Sequence, residues 1–184
     1  AQTDRLEEFK RLYNEDPSRI FLRDNIKSWM PIHYAVFKSK MKIIDFILSK
    51  SDENMINVTD LNGNTPLHIA IEKGQKDCVN YLLDKGAITN LKNKDSHAAI
   101  HACVIFNQPD ILDALLSHPT NKADLHLGGE NGGTALHYCS IIDNLECAQV
   151  LIKHKANLCK PCNNGFFPVH MAAQHCSNRV LEFL

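Results

Sequence analysis

The feature that most constrains this chain is a short segment that occurs five times and ends each time in histidine. The histidines, His33, His68, His101, His137 and His170, are 35, 33, 36 and 33 residues apart. A period of this length is typical of stacked helix pairs, because such a unit accommodates two short helices and a connection. The spacing therefore predicts a repeat array, in which each unit buries its apolar face against its neighbours.

The second copy shows why each unit should fold as a helix pair. Gly63 favours a tight turn, and Thr65 followed by Pro66 is typical of a helix N-cap and first helical residue. Apolar residues at helical spacing follow as far as Gly74, a residue that enters the left-handed region at little cost. A second apolar helical pattern then runs to Gly86. Each unit is therefore predicted to contain a turn, a helix, a short link, an antiparallel helix and an extended connection.

This unit resembles the ankyrin repeat through residues 63–70, Gly74, residues 82–83 and residues 86–87. The resemblance implies an all-α ankyrin solenoid of stacked antiparallel helix pairs with hairpin-like finger loops. It also implies that the repeat motif is structural and ties neighbouring units, since five histidines spread along a solenoid do not converge on one metal ion or catalytic site. The motif residues are His33, Thr65, Pro66, His68, His101, Thr134, His137, Pro168 and His170.

The register of the histidines divides the chain into six segments. Residues 1–22 are predicted as an N-terminal capping or partial-repeat helix, and residues 159–184 as a truncated repeat. Solenoids need polar terminal units for solubility, and the last segment stops within an apolar helical pattern, so we expect the chain to be a fragment of a longer protein. The four ankyrin repeats between these ends are 23–56, 57–89, 90–125 and 126–158.

Charge and composition exclude several classes of function. Twenty basic and 21 acidic residues leave a net charge of -1, which provides no strong field for nucleic acid. No apolar stretch approaches the roughly 20 residues that cross a bilayer, so we expect no membrane insertion by this part of the chain. The sequence lacks a phosphate-binding glycine motif and a nucleophile elbow. We therefore expect neither an enzyme nor a cofactor.

The seven cysteines favour a reducing compartment, because an odd number does not suit a disulfide framework. Cys159 and Cys162 lie in a finger beside Lys160 and are candidate reactive thiols, if they are exposed and the ammonium favours the thiolate. The alternative is two tolerated small residues. We expect no metal site, because zinc would need further ligands and there is no second Cys-x-x-Cys. Four others occupy apolar helix positions and are predicted to be core residues: Cys78, Cys103, Cys139 and Cys147.

The ankyrin resemblance implies protein partners bound through the finger tips and the concave face. Trp29 and either Phe166 or Phe167 replace polar consensus residues, and they are either exposed recognition points or packed against adjacent fingers. The glycine-rich segment 128–133 is predicted as a flexible, solvent-facing turn. The candidate interaction residues are Trp29, Asn62, Asn64, Lys94, Asp95, Glu130, Asn131, Asn164 and Phe166.

A narrower resemblance, covering roughly residues 55–184, is carried by residues 62–68, 86–93, 129–135, 158–160 and 165–173. These segments are similar to the N-terminal ankyrin array of the ankyrin-type transient receptor potential channels, the TRPA family. Cys159 matches a cysteine of that family, whereas a second family cysteine is Phe166 here.

The TRPA resemblance implies a subunit of a homotetrameric, non-selective, calcium-permeable cation channel of the plasma membrane that responds to chemical irritants or temperature. This segment would be its cytosolic arm for protein interaction and gating modulation. The alternative is a soluble cytoplasmic ankyrin adaptor, which binds a protein partner through its concave surface. The two differ in whether membrane-spanning segments exist elsewhere in the protein.

Overall fold

The helices of this chain follow one another in pairs. A computed structural model describes residues 2–184, and this part of the chain contains eleven α-helices, three short 3₁₀ helices and no β-strand. The 3₁₀ helices span Pro17–Phe21, Glu53–Asn57 and Glu130–Gly132. The α-helices are α1 (Gln2–Glu15), α2 (Pro31–Phe37), α3 (Met41–Ser49), α4 (Pro66–Glu72), α5 (Lys76–Asp84), α6 (Ala99–Ile105), α7 (Pro109–Ser117), α8 (Ala135–Ile142), α9 (Leu145–Lys153), α10 (Pro168–Gln174) and α11 (Asn178–Phe183).

Five helix pairs, from α2–α3 to α10–α11, stack side by side. The first helices form one row, in which α2, α4, α6, α8 and α10 each contact the next. The second helices form the other row, in which α5, α7, α9 and α11 contact one another and α1 contacts α3. The predicted all-α solenoid is therefore confirmed. None of the helices within residues 2–184 is both long and apolar enough to cross a membrane.

The predicted segments correspond to these helices in a simple way. Residues 1–22 include α1 and the first 3₁₀ helix, and residues 159–184 include α10 and α11. Each of the four predicted complete repeats includes one helix pair.

The link within each pair turns through one residue in the left-handed region. This residue lies six positions after each histidine, and its φ is between 49° and 64° in all five repeats. A hydrogen bond closes the link, as in the bond from the Gln75 N–H to the Ala70 carbonyl, 3.0 Å long. Helix packing therefore imposes the turn on residues other than glycine as well. The five residues are Ser39, Gly74, Asn107, Asp143 and Cys176.

The core lies between the two rows of helices. Cys78, Cys103, Cys139 and Cys147 are buried in it, as predicted from their helix positions. Burial disfavours the thiolate and raises the pKa of Cys78 to about 12 and that of Cys147 to about 11. It raises the pKa of Cys103 and Cys139 well above the usual range. These four thiols are packing groups.

Candidate functional site

A finger precedes the first helix of each pair. The five fingers, numbered in chain order, are residues 24–29, 60–64, 93–97, 129–133 and 162–166, so the first has one residue more than the others. In each finger the N–H of the first residue donates to the carbonyl of the last, over 2.7–2.9 Å. The fingers are therefore closed turns with a defined tip.

Side chains at the first finger position fix three of these tips. Asp60 Oδ1 accepts from the N–H groups of Asn62 and Asn64, both at 2.8 Å. Asn93 Oδ1 accepts from two backbone N–H groups of the third finger, and Asp24 Oδ1 accepts from two backbone N–H groups of the first. Aspartate and asparagine favour such turns because their short polar side chains reach the backbone two residues on. The tips are thus ordered before any partner binds, which lowers the entropic cost of binding.

Four of the five repeat histidines tie their own first helix to the connection or finger that follows it. In every repeat the Nδ1 atom accepts from the backbone N–H of the residue three positions earlier, over 3.0–3.2 Å. In the first four the Nε2 atom lies 3.0–3.2 Å from a carbonyl of the next connection, which can only accept. These four imidazoles are therefore neutral, with the proton on Nε2. The pairs are His33–Val58, His68–His97, His101–Leu127 and His137–Phe166.

The neutral form of these histidines agrees with their burial. Desolvation lowers the pKa of His33, His68 and His137, and it lowers the pKa of His101 to about 4. Thr65 and Thr134 add a hydroxyl contact to Nδ1 of their own histidines, at 2.8 and 2.9 Å. Among residues 2–184 no three histidine, cysteine or acidic side chains are grouped as a metal site requires. The geometry gives the histidines a structural role.

Trp29 is buried, so the prediction that it is an exposed recognition point is wrong. Its side chain is 7% exposed, and its ring packs against Tyr34 and Phe37 with centroid distances of 5.0 and 5.4 Å. The indole Nε1 donates to Asp60 Oδ2 in the second finger. The extra residue of the first finger places this ring between two fingers, which is the packing alternative considered for it.

The other predicted interaction residues are distributed along the tips. Asn64 is half-buried because its Oδ1 accepts from Asn93 Nδ2 at 2.9 Å, which ties the second finger to the third. Backbone bonds also join adjacent tips, from Leu61 to Lys27 and from Lys94 to Asn62. The remaining predicted residues are exposed: Asn62, Lys94, Asp95, Glu130, Asn131, Asn164 and Phe166.

Between residues 2 and 184 the backbone bonds between tips are interrupted once. They join the first finger to the second, the second to the third, and the fourth to the fifth through Asn163 and Asn131, but not the third to the fourth. At that junction the ring of Tyr138 packs against His97 and His101, with centroid distances of 5.2 and 5.1 Å. The junction between the third and fourth fingers therefore depends on aromatic packing instead of a backbone bond.

An exposed apolar pair was missed by sequence reasoning. Ile26 and Leu61, here called the apolar tip, are 83% and 54% exposed on the first two fingers. The sequence alone could have indicated this pair, because each is a large aliphatic residue in a turn that is otherwise polar. The two fingers are joined by the bond from the Leu61 N–H to the Lys27 carbonyl, and exposed apolar patches mark interaction sites when they are contiguous. The apolar tip therefore joins the candidate interaction surface.

The glycine-rich fourth finger is more closely packed than its composition predicts. A Cβ on Gly129 would lie 2.6 Å from Tyr138 Oη, and one on Gly132 would overlap the side chain of Asn163. The Glu130 N–H donates to the same tyrosine oxygen over 2.9 Å. A Cβ at either position would therefore have to displace the side chain that faces it, although Glu130 and Asn131 remain exposed.

The two candidate thiols differ in accessibility. Cys159 is exposed, and Lys160 beside it donates its ammonium to the His126 carbonyl at 2.6 Å. Cys162 is 5% exposed, so it does not meet the condition of exposure that a reactive thiol requires, and the alternative of a tolerated small residue holds for it. Its position explains the burial, because it is the first residue of the fifth finger and its N–H closes that turn. Cys176, at a helix link, is also exposed.

The family model described as ankyrin repeats (3 copies) matches residues 1–95 and 100–184. The chain belongs to the ankyrin repeat family. The predicted ankyrin fold is therefore confirmed.

Two of the relatives of this ankyrin array are named as cation channels. Transient receptor potential cation channel subfamily A member 1 of Homo sapiens is 36% identical over 153 residues, which are 83% of this chain and 14% of that protein. The Drosophila melanogaster protein of that name is 37% identical over 184 residues, or 99% of this chain and 15% of the relative. Mouse inversin is 30% identical over 145 residues, 79% of this chain and 13% of inversin. The chain thus spans between 13% and 15% of the length of these relatives.

The ankyrin array also has a small recess between the second and third fingers and the first helices. Its volume is about 240 Å³. Two carboxylates, Glu72 and Asp95, and two apolar side chains, Ile105 and Phe106, line it together with His97. A recess with both kinds of lining can hold a side chain that has an apolar stem and a cationic or polar end.

Proposed function

We propose that this chain is a cytosolic ankyrin arm of a TRPA-like cation channel. The observation that supports this proposal is the similarity to the human and Drosophila proteins named transient receptor potential cation channel subfamily A member 1. They are 36% and 37% identical to this chain over 83% and 99% of its length. In this proposal the full protein is a homotetrameric, non-selective, calcium-permeable channel of the plasma membrane, opened by chemical irritants or temperature.

The arm acts in gating and in protein contacts rather than in conduction or catalysis. Its closed fingers present the apolar tip and the charged residues Lys94, Asp95 and Glu130 on a rigid scaffold. Rigid stacked repeats transmit displacement, because each one contacts only its neighbours. A partner bound at the tips would therefore bias the gate from a distance.

The proposal is tested on the full-length protein that contains this segment. It is expressed in cells that lack such channels, and whole-cell current and calcium entry are recorded during electrophile addition and during temperature ramps. We expect evoked current in expressing cells only. A full-length protein that reaches the cell surface and carries no current under either stimulus would overturn the proposal.

Paired variants in the same assay test the role of the arm. Ile26→Asp together with Leu61→Asp removes the apolar tip, and Leu158→Asp is the matched control because Leu158 is exposed and lies outside the fingers. We expect the tip variant to shift the stimulus-response curve at unchanged surface expression, and the control to leave it in place. Equal curves for all three proteins would argue against a modulatory role of the tips.

A cytoplasmic ankyrin adaptor is the second candidate. The similarity to mouse inversin over 79% of this chain favours it, and so does the recess between the second and third fingers. The two candidates predict different sequences for the rest of the full protein, because a channel of this kind requires six apolar stretches of about 20 residues each and an adaptor requires none. A reading frame without them would favour the adaptor.

A further inference from the structure

The recess between the second and third fingers combines acidic side chains with an apolar wall. Its volume of about 240 Å³ is smaller than the roughly 300–1,000 Å³ of pockets that hold a drug-sized ligand, so it suits a single side chain. We propose that the recess binds one arginine side chain from an extended segment of a partner protein. The proposal deepens the role in protein contacts proposed above and rests on that role. It would hold for an adaptor as well as for a channel arm.

The charge of the recess favours a cationic side chain. Of the described residues, those that line it include the carboxylates of Glu72 and Asp95 and neither a lysine nor an arginine. Burial lowers the pKa of the two lining histidines, His68 and His97, so neither adds a positive charge near pH 7. At His97 the nearby carboxylates of Asp95 and Glu130 oppose that effect, which places a third acidic group close to the recess. A cation that enters the recess therefore meets negative charge.

The apolar wall of the recess favours arginine among the possible cations. Ile105 and Phe106 are 37% and 43% exposed at the end of α6, and both line the recess. An arginine can pack its methylene groups on such a wall and place its planar guanidinium over the aromatic ring. The guanidinium can also donate two parallel hydrogen bonds to one carboxylate, which the ammonium of lysine does not match. A small inorganic cation would gain nothing from the apolar wall.

The apolar wall continues onto the next first helix. Five residues after the histidine, the second repeat has Lys73, the third has Phe106 and the fourth has Ile142. Ile142 is 47% exposed at the end of α8, which packs against α6. Packed helices lie about 8–10 Å apart, a distance that an extended chain covers in about three residues. The partner segment should therefore carry an apolar residue about three positions from its arginine.

The recess has a fixed shape because hydrogen bonds join its two sides. Asn93 Nδ2 donates to Asn64 Oδ1 over 2.9 Å, which ties the third finger to the second. His68 Nε2 donates to the His97 carbonyl over 3.0 Å, which ties α4 to the third finger. All four residues line the recess. A preformed site loses less conformational entropy when a side chain binds in it.

A lysine beside the recess competes with the proposed arginine. Lys73 Nζ lies 2.7 Å from Glu72 Oε1 and 4.7 Å from the centroid of the Phe37 ring. Its ammonium therefore neutralises part of the negative charge that an incoming arginine would meet. Removing this ammonium should strengthen the binding of an arginine, a gain that a loss of structure could not produce.

The test titrates the isotope-labelled chain with two short peptides and follows its backbone amides by NMR. The peptides, GSRAALSG and GSLAARSG with blocked ends, place leucine three positions after or before the arginine. We expect at least one of them to bind with a Kd below about 1 mM and to shift the amides of Asp95, His97 and Phe106. Exchanging its arginine for citrulline, which keeps the shape without the charge, should weaken binding by about tenfold or more. Exchange for lysine should weaken it by about threefold.

Variants at exposed positions assign the binding to the recess. We expect Asp95→Asn and Phe106→Ala each to weaken binding of the arginine peptide by about threefold or more. Asp77→Asn and Leu158→Ala are the matched controls, because both residues are exposed and neither lines the recess, and they should leave the Kd unchanged. Lys73→Gln should strengthen binding by about twofold or more.

Three results would overturn the proposal. The first is the absence of saturable shifts with both peptides at about 5 mM, and the second is equal binding of the arginine and citrulline peptides. The third is the same set of amide shifts when the concentration of the chain alone is raised, together with a dimer mass in light scattering, which would assign the recess to a second copy. None of these results bears on the current measured from the full-length protein, and a protein without current would leave the peptide titration unaffected.

Discussion

The indole Nε1 of Trp29 lies 3.1 Å from Oδ2 of Asp60 and donates a hydrogen bond to it. The other oxygen of that carboxylate accepts two backbone N–H groups of the second finger. One carboxylate therefore closes its own finger and holds the preceding one. Since Trp29 is buried between aromatic neighbours, its role is to stabilise the finger row and not to meet a partner.

Replacing Trp29 should therefore affect stability. We expect Trp29→Ala to lower the free energy of unfolding by about 3–5 kcal/mol, because a large buried ring is lost. Trp29→Phe keeps a ring and loses the bond to Asp60, for a cost of about 1–3 kcal/mol. Phe166→Ala is the control, since that ring is 42% exposed. Urea unfolding followed by far-UV circular dichroism measures all three, and equal losses for Trp29→Ala and Phe166→Ala would contradict the assignment.

Acid should destabilise the array through its buried histidines. Burial lowers the pKa of His33, His68, His101 and His137 in the folded state. Below the unfolded pKa, about 6.5, the unfolded chain binds protons that the folded chain does not, so stability is lost as pH falls. For His101 the loss continues to a pKa of about 4 and amounts to about 3 kcal/mol.

A single variant tests how much His101 contributes to the loss of stability in acid. The groups near His101 are His97, Lys92 and the Tyr138 ring, and the two basic groups oppose its protonation. We expect His101→Gln to be less stable at pH 8, through loss of the bond to Leu127, but to lose less stability between pH 6.5 and 4. His175→Gln, at an exposed position, is the control. Urea midpoints that do not change with pH would contradict the neutral, buried state of these imidazoles.

Thiol labelling should follow exposure. We expect brief alkylation of the folded chain to modify Cys159 and Cys176 first and to spare Cys162 together with the four core cysteines. Denatured protein, in which all seven should react, is the control. Peptide mass mapping at several times gives the order. Labelling of Cys162 as fast as Cys159 would show that the fifth finger opens readily.

The close contact at Gly129 should make this glycine sensitive to substitution. Its φ of -89° is not in the left-handed region, and the effect that we expect from Gly129→Ala comes from the Cβ against Tyr138 Oη. We expect a loss of about 1–3 kcal/mol in the free energy of unfolding. In a double-mutant cycle with Tyr138→Phe the combined loss should be smaller than the sum, because the clash needs both groups. Simple additivity would refute the contact.

The sequence predicted correctly the features that nearby residues determine and that recur in every repeat. The spacing of the histidines predicted the four repeats 23–56, 57–89, 90–125 and 126–158, and each of them contains one helix pair. Sequence reasoning failed where burial depends on how a finger packs. Trp29 and Cys162 lie in turns, and turns are usually exposed, but a second finger packs against the first, and the fifth closes over its own first residue.

The interrupted row of tip bonds has a mechanical consequence. Where a backbone bond joins two adjacent fingers, moving one repeat relative to the next has to stretch that bond. Bending is therefore expected to concentrate at the junction that lacks such a bond. In this array that junction lies between the third and fourth fingers, where the tips are held by the packing of the Tyr138 ring on His97 and His101, and where the bond from His101 to the Leu127 carbonyl ties the connection before the fourth finger. We expect twist applied at either end to be taken up there, so that the segment behaves as two stiff levers with a preset hinge.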